Sequence, residues 1–438
     1  MIRNRKVGLG LATALVASNM IGSGIFLLPA TLATVGSITV VGWVIATLGA
    51  LLVAVMLARL AQISPQPGGP CAYADEALGP YMGFQSTTIY WLSCWTGNIA
   101  IAVAAIGYLA SFFTGLVQPL PAALATIALI WLLTFVNILG PRFVCKVESF
   151  AIVTGLVPIL LVATAGWWYF DADLFRASWN VRHEPATTVV PQSLVLVFWA
   201  FTGLESASVA SGVIENPQRN VPLATIGGVV IAAVVYIGSC SVIMGLIPAA
   251  MLAKSTAPFA DAVSVVLGPI AGGLVALMAL VKATGTLGGW ILLTAQTGKA
   301  GAERGLFPAV FACVDRHGIP VANLLIMAAV MSAVVFATSS PTLGEQFGKL
   351  IEVSVIFCLL VYVYAGIAVW HYDELAQPPR GFNRYRVIAF AAMSFCLWVI
   401  AESDATLLAL SAAAIFFTVP FYPLVVHPAR RAGAPSIS

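Results

Sequence analysis

Glu205 sits near the middle of "FWAFTGLESASVA", an apolar run interrupted by Thr202 and Gly203. An ionised acid at the centre of a membrane span costs at least about 2.5–3.5 kcal/mol on insertion scales. Such a group therefore has work to do: pairing a cation, gating a path with a proton, or holding structure through hydrogen bonds. Aromatic residues gather in comparable positions, with Tyr90, Trp91 and Trp95 in one run, Trp199 just before Glu205, and Trp290 in "GTLGGW". A desolvated aromatic face attracts an ammonium or guanidinium by about 2 kcal/mol. The segment "SCWTGNIA" adds Ser93, Cys94 and Asn98, small polar groups able to face a ligand, although an asparagine between helices also serves as glue. One central acid among aromatic rings suits an organic cation.

Other chemistries find no footing. Seven scattered cysteines show no CxxC or Cys/His cluster, so neither a disulfide framework nor a metal site is expected. There is no HExxH, GxSxG or paired catalytic aspartate, and His183, His317, His371 and His427 fall in loops or near ends. No catalytic residue, metal or cofactor is expected, and the chain reads as a non-enzyme.

The elements that must position these residues follow from composition. Hydrophobic residues make up 60% of the chain and charged residues only 8%, against roughly 25% charged in soluble domains. Mean hydropathy is +0.99. This excludes a soluble fold and implies an all-α integral membrane protein with the lipid bilayer as its solvent and no nucleic-acid partner. Runs of about 20 apolar residues predict twelve spans near 8–34, 37–62, 85–113, 121–140, 148–170, 190–213, 222–248, 270–298, 320–338, 347–370, 385–402 and 404–426. The basic, then apolar, start is expected to be an uncleaved first span. With the N-terminus inside, fifteen lysines and arginines fall on inner segments and four on outer ones. That positive-inside bias predicts two cytoplasmic termini.

Two spans are interrupted, the first at Gly22-Ser23-Gly24 and the sixth across residues 199–208. Glycine inside a helix costs about 1 kcal/mol relative to alanine. Unwound backbone survives at membrane depth only where protein or a watery cavity satisfies it. Breaks in the first and sixth spans fit two five-span repeats, about 8–170 and 190–370, followed by helices about 385–426, in one transporter domain over 1–438. An odd repeat length inverts the second copy, and paired breaks of this kind mark a transporter's central site. Half-helix N-termini at the breaks suit a carboxylate, so one site can hold both ends of a basic amino acid.

The motifs "GSGIFLLPA", "PGGPCAYADEALGP", "WAFTGLESASV", "ENPQRNVPLATIGG" and "GLFPAVFACVDRHGIP" resemble the amino acid–polyamine–organocation superfamily, and within it the basic amino acid/polyamine antiporters. The resemblance runs over about residues 6 to 425. It implies alternating-access exchange of a basic amino acid for its decarboxylated amine, a homodimer in a bacterial inner membrane, and a contribution to acid resistance. "YWLSCWTGNIA", "FWAFTGLESASVA" and "GTLGGWILLTAQT" favour arginine for agmatine, while "GGPCAYADE" leans toward lysine for cadaverine. Ornithine/putrescine exchange, proton-coupled uniport and a non-transporting sensor are the other readings. Carried over by motif, Met20, Ser23 and Gly24 meet the substrate's α-amino and carboxylate groups. Its cationic end lies near Ser93, Cys94, Asn98 and Ser354, against Trp199, Thr202 and Trp290. Tyr90, Trp290 and Tyr362 become aromatic gates, and Glu205 a gating, pH-sensing acid. Lys282 departs from the pattern, standing where a small residue is usual. It is too deep to snorkel easily, lies within about 80° of Trp290 around a helix, and is expected at a coupling-ion position between spans 1 and 8. A fixed cation there weakens cation binding unless it is neutral or paired with an acid such as Glu205.

Overall fold

A computed structural model describes residues 7–22, 25–64, 69–139, 141–209, 211, 214–316, 318–340, 342–375 and 383–426, the side chains of 141–147, 149, 152 and 375 excepted. Helix is the regular structure of the described residues, with one isolated bridge between Val7 and Ile214. Twelve membrane segments follow in the predicted order. Span 1 is Leu9–Met20 and Leu28–Ala33, with turns at residues 21–22 and 25–27 between them. Spans 2 to 5 are Thr39–Ile63, Pro80–Ala110, Pro119–Leu139 and Pro141–Thr164. Span 6 runs from Ala186 to Val209 with a break, and span 7 is Pro217–Met244. Spans 8 to 11 are Pro269–Glu303, Val321–Ala337, Leu343–Leu375 and Arg384–Ala401. Span 12 covers 405–425.

The five-span period is visible in a duplicated corner. A ten-residue helix, Gly69–Leu78, precedes span 3, and another, Pro258–Leu267, precedes span 8. Each ends in Leu-Gly-Pro, with the glycine at φ +86° (Gly79 and Gly268) and the proline opening the next span. A positive φ favours glycine, and proline suits the first helical turn because its missing N–H would be unpaired there. Three residues on, Gly83 and Gly272 pack so closely on Asp75 and Ser264 that a methyl group would collide with either side chain.

Burial follows the bilayer logic. Large apolar side chains such as Leu139, Trp168, Ile270, Phe416 and Leu424 point outward, where acyl chains solvate them at no cost. Span 3 lies at the centre, packed against both span 8 and span 10, and span 12 is almost wholly peripheral. At one end, span 10 is tied to spans 2 and 11 through Asp373, which is 1% exposed. Arg59 lies 3.5 Å from it, Arg386 3.9 Å, and Asn383 Nδ2 donates to it at 2.9 Å. The two guanidiniums also stack on Tyr385 and Trp370.

Candidate functional site

Span 6 unwinds where its sequence demands it. The helix stops at Phe198, a short 3-10 turn covers Trp199–Phe201, and helix resumes at Ser206. Gly203 takes φ +99° in the gap. A Cβ there would meet Asn19 and the Trp290 ring at 3.6–3.7 Å, so the break is held against both spans 1 and 8. Freed polar groups find partners locally: Thr202 Oγ1 donates to the Trp199 carbonyl at 2.7 Å and Ser206 Oγ to that of Gly203. The break in span 1 is served in the same way. Tyr108 donates its hydroxyl to the Phe26 carbonyl at 2.8 Å, and Asn19 Nδ2 donates to Ser206 Oγ at 2.9 Å, linking the two breaks.

Glu205 lies in the span-6 gap, 2% exposed. Three donors converge on its two oxygens. The Tyr90 hydroxyl reaches Oε1 at 2.8 Å, the Tyr362 hydroxyl reaches Oε2 at 2.5 Å, and the Gly203 N–H reaches Oε2 at 3.2 Å. The acid and two of the predicted gates thus form one clasp joining spans 3, 6 and 10.

Beneath the clasp lies a nearly closed pocket of about 20 Å3, lined by Tyr90, Ser93, Cys94, Asn98, Trp199, Thr202, Glu205, Trp290 and Ser354, all expected from the sequence. Gly97, Ile101 and Cys358 complete it. Ser93 and Ser354 exchange hydroxyl-to-carbonyl hydrogen bonds, each 2.8 Å, so each occupies the other's carbonyl. Asn98 is oriented by a chain. Thr294 Oγ1 gives its proton to the Trp290 carbonyl at 2.7 Å and therefore accepts from Asn98 Nδ2 at 3.1 Å. That leaves Asn98 Oδ1 without a hydrogen-bond partner among the described residues. The pocket keeps one unmet amide acceptor.

Some sequence expectations are revised. Ser23 and Gly24 lie outside the described residues. Met20 is fully buried in the core beside the break rather than in the pocket wall, and Tyr362 acts through Glu205 rather than as lining. The glycines before Trp290 do not loosen span 8, which is helical throughout. They are contact points: Gly288 O accepts from Asn137 Nδ2 at 3.2 Å, and Gly289 sits under the Glu148 carboxylate. Lys282 does not pair with Glu205. Its stem runs over Gly155 of span 5, where any Cβ would collide with it. Its Nζ ends against Gly22 of span 1, about where a side chain on that residue and Thr286 Oγ1 would meet. Besides Ile101 and Cys358, two glycines escaped sequence reading. Gly97 is the seat for the Trp199 indole, whose tip lies 2.9 Å from a Cβ built there, and Gly155 is the notch for Lys282. A lone glycine in a span carries no signal of which side chain it admits.

Paired breaks around a central site at membrane depth are transporter architecture. The family profile described as amino acid permease matches residues 8–432. The chain belongs to this family, among the basic amino acid/polyamine antiporters. This permease is 40% identical over 374 residues, 84% of each chain, to the "Cadaverine/lysine antiporter" of Escherichia coli (strain K12). It is 32% identical over 424 residues, 97% of each chain, to "Putrescine transporter PotE" of the same strain. The Haemophilus influenzae (strain ATCC 51907 / DSM 11121 / KW20 / Rd) protein of that name is 34% identical over 400 residues, 91% of each chain. The permease is a multi-pass membrane transporter for basic amino acids and amines, not an enzyme. None of these three relatives is named for arginine or agmatine, so the pairing favoured by the motifs yields to its alternative.

Proposed function

We propose that the permease exchanges lysine for cadaverine. The observation that carries this reading is the single unmet acceptor, Asn98 Oδ1, in a pocket walled by Trp199 and Trp290. A guanidinium brings five N–H donors in a planar fork, whereas an ammonium is a compact charge. With the Ser93 and Ser354 carbonyls already engaged, the pocket suits the ammonium. The name of the 40% identical relative points the same way. By motif, the substrate's carboxylate end belongs at the span-1 break with Met20, Ser23 and Gly24. Lysine enters with one net positive charge and cadaverine leaves with two. Each cycle then exports the equivalent of the proton that lysine decarboxylation consumes, which is the route to acid resistance.

The distribution of lysines and arginines supports two cytoplasmic termini in a bacterial inner membrane, and the resemblance supports a homodimer. Lys282 takes the place of a coupling ion between spans 1 and 8, its Nζ held at the unwound Gly22. Counterflow in proteoliposomes tests the substrate: cadaverine-loaded vesicles should accumulate labelled lysine in preference to ornithine and arginine. Preferred uptake of arginine against agmatine, or of ornithine against putrescine, would refute it, and binding without flux would make the chain a sensor.

A further inference from the structure

Behind the substrate pocket lies a second cavity, a groove of about 740 Å3 between spans 3, 9, 10 and 12. Its floor is apolar, formed by Leu92, Val353, Phe357, Leu407 and Leu410. One end is charged, where Lys349 and Glu352 of span 10 meet Asp404 at the head of span 12. The Asp404 N–H donates to Glu352 Oε1 at 2.5 Å, and Lys349 Nζ donates to Ser340 Oγ at 3.2 Å. Two polar atoms of lining residues, Trp95 Nε1 and Ser411 Oγ, have no hydrogen-bond partner among the described residues. Their side chains are buried, at 8% and 2% exposure. Unpaired buried polar groups are costly and call for an explanation.

We propose that this groove binds a glycerophospholipid whose headgroup carries a primary amine. The acyl chains lie on the apolar floor, and the ester carbonyl oxygens accept from Trp95 Nε1 and Ser411 Oγ. The phosphate faces Lys349, and the ammonium sits between Glu352 and Asp404. One cation and two acids at a single mouth complement a phosphoethanolamine zwitterion and repel a purely anionic headgroup. The groove also shares its walls with the substrate pocket. Along span 3, Leu92, Trp95 and Thr96 face the groove while Ser93, Cys94 and Gly97 face the pocket. Along span 10, Val353 and Phe357 face the groove while Ser354 and Cys358 face the pocket. A lipid seated there braces the two helices that carry the Tyr90 and Tyr362 hydroxyls. The inference holds whichever basic amino acid is carried.

The test uses the full chain. Native mass spectrometry after mild detergent extraction should find one phosphatidylethanolamine retained per chain. Phosphatidylcholine, whose trimethylated amine has no N–H to donate, should be held about tenfold less tightly, the order expected for one charge-assisted hydrogen bond. Counterflow should be faster in vesicles containing phosphatidylethanolamine than in phosphatidylcholine alone. The double variant Glu352→Gln, Asp404→Asn keeps a side chain able to cap span 12 and should lose that preference. Ser411→Phe, filling the groove, should bind neither lipid. A wild-type chain that retains no lipid, or that holds the two lipids equally and transports equally in both vesicles, overturns the proposal. So does a second copy found in the groove, seen as efficient cross-linking through a cysteine placed at Leu410 in lipid-free protein.

Discussion

Replacing Tyr362 with phenylalanine keeps the ring but deletes the 2.5 Å hydrogen bond to Glu205 Oε2. A hydrogen bond to a carboxylate contributes roughly 1.5–3 kcal/mol net, and each 1.4 kcal/mol is a factor of ten. The bond exists only while spans 3, 6 and 10 are together, so its loss should favour arrangements in which they part, by roughly 10- to 100-fold. Two natural reporters line the pocket: Cys94 and Cys358, 5% and 2% exposed. In detergent, peptide-resolved labelling of both thiols by a small alkylating reagent should be at least about tenfold faster in Tyr362→Phe than in wild type. Tyr90→Phe, which frees the other oxygen, should act in the same direction. The double variant leaves only the Gly203 N–H on the carboxylate and should depart from additivity, because all three donors share one acceptor. Wild-type labelling and exchange rates in Tyr362→Phe would refute the clasp as a gate.

Further outcomes follow from particular contacts. Gly97→Ala puts a methyl group 2.9 Å from the Trp199 ring tip. The displaced indole should raise the KM for lysine, and overpacking of roughly 1–3 kcal/mol should lower the thermal midpoint as well. Asp373→Asn leaves Arg59 and Arg386 facing each other without their acid. Breaking such a pair costs about 3–5 kcal/mol, which a clear drop in thermal midpoint in detergent would register. Lys282→Met removes the cation at Gly22 while keeping a stem that fits the Gly155 notch. It should alter the rate and pH dependence of exchange, and unchanged profiles would remove Lys282 from the mechanism.

The membrane class, the span order and the two breaks were legible in the sequence because they follow from rules with few exceptions: length of apolar runs, intolerance of glycine inside helices, and the cost of a buried acid. Seven pocket residues were legible from their types, since polar and aromatic groups cluster where lipid is absent, while Thr202 and Ser354 came only through the family resemblance. What stayed hidden depends on pairs of distant residues. That Tyr362 reaches Glu205 across 157 positions, or that Gly155 exists for the stem of Lys282, needs the relative rotation of two helices. No periodicity in one span encodes that angle. The role of the glycines before Trp290 stayed hidden for a related reason. Glycine at membrane depth serves both unwinding and close packing, and only the presence of Glu148 and Asn137 opposite separates the two uses.

The clasp also bears on why exchange would be obligatory. Glu205 is the acid lining the pocket, yet both its oxygens are engaged by the tyrosines proposed as gates. A substrate cation arriving from either side competes with those hydroxyls for the same carboxylate. Binding and unlatching are then one event: the ammonium takes over an oxygen, and the tyrosine it displaces frees its span to move. An empty pocket offers no such competitor, so it rests in the clasped state, and the return step waits for a second cation. On this argument vesicles loaded without counter-substrate should take up lysine far more slowly than cadaverine-loaded ones. Tyr362→Phe, with half the latch gone, should narrow that gap by letting the empty carrier turn over. Equal uptake with and without internal cadaverine in the wild type would show that Glu205 and its tyrosines do not couple the two fluxes.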